Sequence, residues 1–131
     1  MKGKRTRFNP GKMSIMLYEI KGVQRHPGEH KRRWFFDHEI DLCVWFDEQD
    51  QIIGFQLIYD KSADTHALTW WVNKGYSHNR VIDDRWHLPN TLVADGLFEQ
   101  DRIAAFFKNQ SEEIDREISE FVFKKLLECK V

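Results

Sequence analysis

The amino-acid sequence predicts an α+β domain, an antiparallel β-meander of four to five strands with C-terminal helices packed on one face. Three stretches between Trp34 and Val72 alternate apolar and polar residues and are separated only by short polar breaks. Such spacing is typical of successive antiparallel strands. The last third of the chain instead carries apolar residues at helical spacing. A length of 131 residues with 41% apolar content predicts one domain with a core.

The N-terminal third is predicted to be a basic arm followed by a single strand. Residues 1–12 are expected to be a disordered arm, and the single domain is expected to span residues 13–131. Met13–Val23 alternates loosely and predicts the first strand. Residues 24–33 are predicted to be a loop, because Pro27-Gly28 forbids regular strand pairing.

The register of the next two strands follows from their apolar positions. Residues 34–46 are interpreted as one strand, which presents Phe36 and Leu42 on a single face. A slip of one residue would move a whole apolar set to the opposite face, so the register that keeps both sets together is favoured. The pairs that it predicts are Val44 with Phe55, Leu42 with Leu57, and Trp45 with Gly54. A large ring over a glycine is a known way to strengthen a strand.

The same argument places the following strand, residues 66–72. It predicts Tyr59 opposite Leu68 and Leu57 opposite Trp70. One face of the sheet is then almost entirely apolar and requires a cover.

The C-terminal part supplies that cover. Residues 73–90 are predicted to be irregular, Thr91–Val93 a short strand, and Glu99–Lys108 a first helix. Ser111 is predicted to cap a second helix that runs to about Glu128. Its apolar stripe consists of Ile114, Ile118, Phe121, Val122, Leu126 and Leu127.

The sheet face away from the helices gathers the residues predicted to bind a ligand or partner. In the predicted register Asp41, Trp45, Gln56 and Trp71 lie near one another on this face. Two tryptophans, an amide and a carboxylate suit a small polar ligand or a protein partner, and tryptophans are natural anchors of a homo-oligomer interface. The alternatives are a solvated face or one covered by residues 76–92.

A weaker set of candidates would be catalytic. His38, Lys61 and His66 are predicted to form one row across three strands, which could act as acid and base. The carboxylates of Glu39 and Asp60 are predicted to be cross-strand neighbours and could share a proton. A solvated rim and an ion pair with the basic arm are the respective alternatives.

No metal and no cofactor are predicted. His26 and His30 belong to an H-x2-E-H string, but Pro27-Gly28 breaks the helix that would bring them together. Asp83-Asp84 with His87 is better explained as a turn beside a surface histidine. The chain has no glycine-rich phosphate loop and no nucleophile elbow.

Charge and cysteine usage bound the partners and the compartment. Residues 1–33 hold ten Lys/Arg and two Asp/Glu, whereas the remainder holds ten and nineteen. A basic arm can bind nucleic acid, although it can equally rest against the acidic body. Cys43 and Cys129 give no disulfide framework, which predicts a reducing, cytoplasmic setting. No apolar run approaches the roughly 20 residues of a membrane span, so no membrane partner is expected.

Four short strings carry a resemblance to other proteins. Arg33-Trp34-Phe35-Phe36-Asp37, Gly54-Phe55-Gln56-Leu57, Leu68-Thr69-Trp70 and Val93-Ala94-Asp95-Gly96 are similar to segments of a group of small bacterial proteins that have no assigned function. The resemblance covers most of residues 33–128. It implies a bacterial, cytoplasmic, single-domain protein and brings no activity with it.

Three functional hypotheses remain open. The first is a non-catalytic binding or interaction module that uses the aromatic and acidic sheet face. The second is a small acid–base enzyme that uses the His/Lys row or the paired carboxylates. The third, which is less favoured, is a nucleic-acid-associated protein that uses the basic arm.

Overall fold

The chain folds into one antiparallel sheet followed by two helices. The computed structural model describes residues 16–21, 27–82, 92–94 (backbone only) and 98–130. The strands pair in chain order, which is a meander. They are β1 (Tyr18–Ile20), β2 (Lys31–Phe36), β3 (Asp41–Phe46), β4 (Ile52–Tyr59), β5 (His66–Trp71), β6 (Gly75–Val81) and β7 (Leu92–Ala94). The helices are α1 (Gln100–Gln110) and α2 (Arg116–Glu128).

The α+β meander with C-terminal helices is confirmed, and the sheet is larger than predicted. Seven strands replace the four to five expected. The predicted arm, residues 1–12, lies outside the described residues. So do both ends of the predicted first strand, residues 13–15 and 22–23. No helix within the described ranges is long and apolar enough to cross a membrane.

The interpretation of residues 34–46 as one strand was wrong, because this stretch contains a hairpin. The carboxylate of Asp37 accepts hydrogen bonds from the backbone N–H of Glu39 at 2.6 Å and of Ile40 at 2.8 Å. These bonds hold the four-residue turn between β2 and β3. The turn reverses the alternation, so that Phe36 lies on the face away from the helices and is 38% exposed.

The β3–β4 register is confirmed over most of its length. Leu42 pairs with Leu57 and Val44 with Phe55, and both pairs are buried in the core. The register shifts only at the last pair, beyond Trp45.

The β4–β5 register differs from the prediction by two residues. Tyr59 pairs with His66, and Leu57 with Leu68. Asp60 adopts a left-handed φ of 54°, which ends β4 directly after Tyr59 and lengthens the connection to six residues. A shift of two residues keeps every side chain on its predicted face.

Residues 75–81 were predicted to be irregular and instead form β6. The preceding turn matches the sequence, since Asn73 and Gly75 have φ of 73° and 80°. Left-handed residues at such a turn suit a tight hairpin. The strand itself is polar, and its apolar residues do not alternate with polar ones. Its sequence therefore did not predict a strand.

Both helices cover the sheet, whereas the sequence predicted a cover mainly from the apolar stripe of the second helix. Ile103 and Phe107 of α1 join Ile118 and Val122 of α2 in the buried core. Ser111 does not cap α2 but follows the end of α1. The α2 cap is Asp115, whose carboxylate accepts from the Glu117 N–H at 2.9 Å. In the predicted stripe Leu127 is 51% exposed, so it does not face the core.

Candidate functional site

The sheet face away from the helices, called here the open face, is built from three rows of directly paired residues. The rows run across β2, β3, β4 and β5 in that order. They are Arg32, Trp45, Gly54 and Trp71; Trp34, Cys43, Gln56 and Thr69; and Phe36, Asp41, Ile58 and Ala67. Residues of β1 extend the last two rows, because Ile20 pairs with Trp34 and Tyr18 with Phe36.

Trp45 and Trp71 form a tilted ring pair at one end of the open face. Their ring centroids lie 4.7 Å apart with an interplanar angle of 33°. The ring that covers Gly54 belongs to Trp71, since a Cβ at Gly54 would lie 2.4 Å from its Cε3. The prediction that Trp45 on β3 lies opposite Gly54 is confirmed. The ring that covers the glycine, however, comes from β5, on the other side of β4.

A concave pocket of about 270 Å³ opens beside this pair. Its lining is mostly apolar, with a carboxylate and an amide among the polar groups. The lining side chains on the open face are Ile20, Trp34, Phe36, Asp41, Cys43, Gln56 and Ile58. Of the four residues predicted to bind a ligand or partner, Asp41 and Gln56 line the pocket, whereas Trp45 and Trp71 lie in the adjacent row.

Lys61 contacts two residues that line the pocket, Asp41 and Phe36, and forms an ion pair with Asp41. Its Nζ donates to Asp41 Oδ1 at 2.5 Å and to the backbone oxygen of Asp37 at 2.9 Å. The same Nζ lies 4.3 Å from the centroid of the Phe36 ring. Burial raises the pKa of Asp41, and the Lys61 ammonium opposes that shift.

The two other polar groups of the pocket differ in what they offer. Gln56 donates through Nε2 to Thr69 Oγ1 at 2.9 Å, which orients its Oε1 as an acceptor. Burial raises the pKa of Cys43 to about 12, so this thiol is protonated at neutral pH. The pocket therefore has a fixed acceptor and no reactive thiolate.

The predicted row of His38, Lys61 and His66 is not paired as expected at His66. His38 lies in the β2–β3 turn, with Nε2 at 3.9 Å from Glu39 Oε2. Opposite His66 on β4 is Tyr59, not Lys61. The physical reason is the early end of β4 at Asp60.

The carboxylates of Glu39 and Asp60 also have separate partners. Glu39 Oε2 accepts from Ser62 Oγ at 2.7 Å. Asp60 binds the Arg102 guanidinium through both oxygens, at 3.1 and 2.8 Å. This bidentate pair ties the end of β4 to α1.

A cluster that the sequence did not reveal lies on the helix-covered face. Tyr59 Oη and His78 Nε2 are 2.5 Å apart, and both residues are buried. The His66 ring is stacked with both, at 5.7 Å from the Tyr59 centroid and 5.2 Å from that of His78. His78 belongs to β6, the strand that lacked a pattern, so no spacing in the sequence linked it to Tyr59.

The described residues contain no group of three His, Cys, Asp or Glu side chains that could hold a metal ion. Some residues that the sequence suggested as metal ligands lie outside the described residues, namely His26, Asp83-Asp84 and His87. So does part of the predicted covering segment, residues 76–92, although its first residues pair into the sheet as β6.

Comparison with protein family models, with curated proteins and with solved structures finds no match for this chain. The resemblance to small bacterial proteins stays a prediction.

Proposed function

We propose that this protein is a non-catalytic binding module that holds a small molecule in the open-face pocket. The observation that carries the proposal is the pocket itself, which combines apolar walls with a few polar groups. Ligand sites in proteins commonly have this composition, with volumes of roughly 300–1,000 Å³. A volume of about 270 Å³ lies just under that range and suits a small ligand with an apolar body and one polar group.

The walls of the pocket are held in place by the sheet. Trp34, Cys43 and Gln56 come from three adjacent strands and are directly paired. The Gln56–Thr69 hydrogen bond fixes the amide, and the Lys61–Asp41 ion pair fixes the carboxylate. A site that is already ordered loses less conformational entropy when it binds, which favours recognition.

The alternative of an acid–base enzyme is supported by a different group of residues from the predicted row. The short contact between Tyr59 Oη and His78 Nε2 is the geometry of a proton-transfer pair. However, the two residues are only 3% and 7% exposed. A substrate has less access to them than to the open-face pocket, and for this reason binding is the preferred function.

The compartment and the assembly state are proposed on separate grounds. Cys43 and Cys129 are both buried and form no disulfide, which supports the cytoplasm as the compartment. Exposed Tyr18 and Phe36 at the edge of the open face support association with a second copy as a further use of this face.

The binding proposal is tested with a fragment library and the indole N–H signals in ¹H–¹⁵N NMR spectra. We expect fragments that bind the pocket to shift the signal of Trp34, which Trp34→Phe identifies. Gln56→Leu should weaken these fragments about 3- to 10-fold, the usual value of one hydrogen bond. Gln49→Leu is the matched control, because Gln49 is exposed in the β3–β4 turn.

Two results would contradict the proposal. One is a library in which no member shifts Trp34. The other is a set of binders whose affinities respond equally to Gln56→Leu and to the control substitution.

A further inference from the structure

Two residues that line the pocket already bind one ammonium group, that of Lys61. Its Nζ is held by the Asp41 carboxylate at 2.5 Å and by the face of the Phe36 ring at 4.3 Å. A carboxylate together with an aromatic face is the usual surrounding of a bound organic cation. Asp41 and Phe36 both line the pocket, so this ammonium subsite shares two residues with it.

Gln56, a second polar group of the pocket, has the same preference for a donor. Gln56 has its amide nitrogen bound to Thr69, so Oε1 is the atom that it offers to a ligand. Asp41 uses Oδ1 for Lys61 and has a second carboxylate oxygen. Both groups accept hydrogen bonds, which favours a ligand that donates them.

We propose that the ligand of the open-face pocket is an organic ammonium ion, a protonated amine on a small apolar body, whose charged group takes the place of Lys61 at Asp41 and Phe36. This inference rests on the binding function proposed above and narrows its ligand class. The apolar body occupies the volume between Trp34 and Ile58, and the ammonium group lies at the rim.

Lys61 is suited to be displaced. It lies in the turn between β4 and β5, and its side chain is partly exposed. A long, flexible side chain at such a position can move its ammonium group to water when a ligand cation replaces it at Asp41 and Phe36. In the absence of ligand it prevents the half-buried Asp41 carboxylate from being left without a counter-charge.

Three probes with one aromatic body and different charge test the inference. They are phenethylamine, which is cationic at neutral pH, the neutral 2-phenylethanol and the anionic 3-phenylpropanoate. Affinities are measured by calorimetry, and the Trp34 indole signal reports the site. We expect the amine to bind about 10-fold more tightly than the alcohol, with the carboxylate weakest.

Variants separate charge recognition from mere occupation of the pocket. Asp41→Asn should reduce amine affinity to about that of the alcohol and change alcohol affinity much less. Asp64→Asn is the matched control, because Asp64 is an exposed residue of the β4–β5 turn. Lys61→Met keeps the length of the side chain and removes the competing charge, so it should raise amine affinity about 10-fold.

The outcomes distinguish this inference from the binding function. If 2-phenylethanol shifts the Trp34 signal and binds at least as tightly as phenethylamine, the ligand is not an ammonium ion. The proposed binding function of the pocket would still stand. If Lys61→Met remains folded by its NMR spectrum but loses affinity for the amine, the ligand does not take the place of Lys61. If neither these probes nor the fragment library shift Trp34, both proposals fail.

Discussion

Asp37 and Gln110 are joined by a buried hydrogen bond in which Gln110 Nε2 donates to Asp37 Oδ2 at 2.9 Å. The two residues are 73 positions apart, one in the β2–β3 turn and the other at the end of α1. The backbone oxygen of Gln110 also accepts from the Leu17 N–H at 2.9 Å. One glutamine thus connects the hairpin, the first helix and the segment before β1.

Removal of the amide should destabilise the fold. Gln110→Leu keeps the apolar stem but leaves Asp37 Oδ2 buried without its donor, which costs about 1–3 kcal/mol. Urea denaturation followed by circular dichroism measures the change in the free energy of unfolding. Gln49→Leu, at an exposed turn position, should change it by less than about 0.5 kcal/mol. Equal effects of the two substitutions would contradict the structural importance of the Asp37–Gln110 bond.

The buried carboxylates predict a particular pH dependence. Burial raises the pKa of Asp37 and that of Asp41 above the ordinary value of 3.8. The folded protein then binds these protons more tightly than the unfolded chain. Their contribution to stability is full below pH 3.8 and is lost as the pH rises through the folded pKa values.

Asp41→Asn isolates one of these two contributions. The free energy of unfolding of the native sequence minus that of the variant should fall as the pH rises from 3.8 through the folded pKa of Asp41. Urea titrations at several pH values measure this difference. Glu19 acts in the opposite sense in both proteins, because Arg33 lowers its pKa, and it therefore cancels. A difference that rises with pH would show that the ion pair with Lys61 outweighs burial.

Cys43 should be inert in the native state. A pKa of about 12 in place of 9.0 reduces the thiolate fraction roughly 1,000-fold, and the side chain is buried as well. In a Cys129→Ser background, a thiol reagent should modify Cys43 much more slowly in native protein than in urea. Absorbance of the released chromophore measures both rates. Rapid modification of the native protein would contradict the burial of the thiol.

Gly54 should tolerate no side chain while Trp71 covers it. An alanine Cβ would lie 2.4 Å from Cε3 and 2.7 Å from Cζ3 of Trp71, so the ring must move and its contact with the Trp45 ring is disturbed. Gly54→Ala should cost about 1–3 kcal/mol and change the near-ultraviolet circular dichroism of the tryptophans. In a Trp71→Ala background the same substitution should cost little. Additive costs of the two substitutions would refute the close contact.

Regular alternation allowed part of this fold to be predicted. The faces of β3, β4 and β5 follow from apolar positions two residues apart, and Asp41 and Gln56 were assigned to one face in this way. The hairpin at Asp37 was missed because apolar residues flank the turn on both sides and suggest one long strand. That error placed Phe36 on the wrong face and concealed its contact with Lys61. β6 and its His78 were missed because no apolar pattern accompanies them.

Along β3 the residues that build the core and those that build the open face alternate one by one. Leu42 and Val44 pack beneath the helices, whereas Asp41 and Cys43 line the pocket. Substitution of the core set is expected to change stability alone, whereas substitution of the open-face set is expected to act on the proposed ligand site as well. A chain of this kind can therefore vary a polar residue of the proposed pocket, such as Asp41, while the core residues of the same strand stay in place.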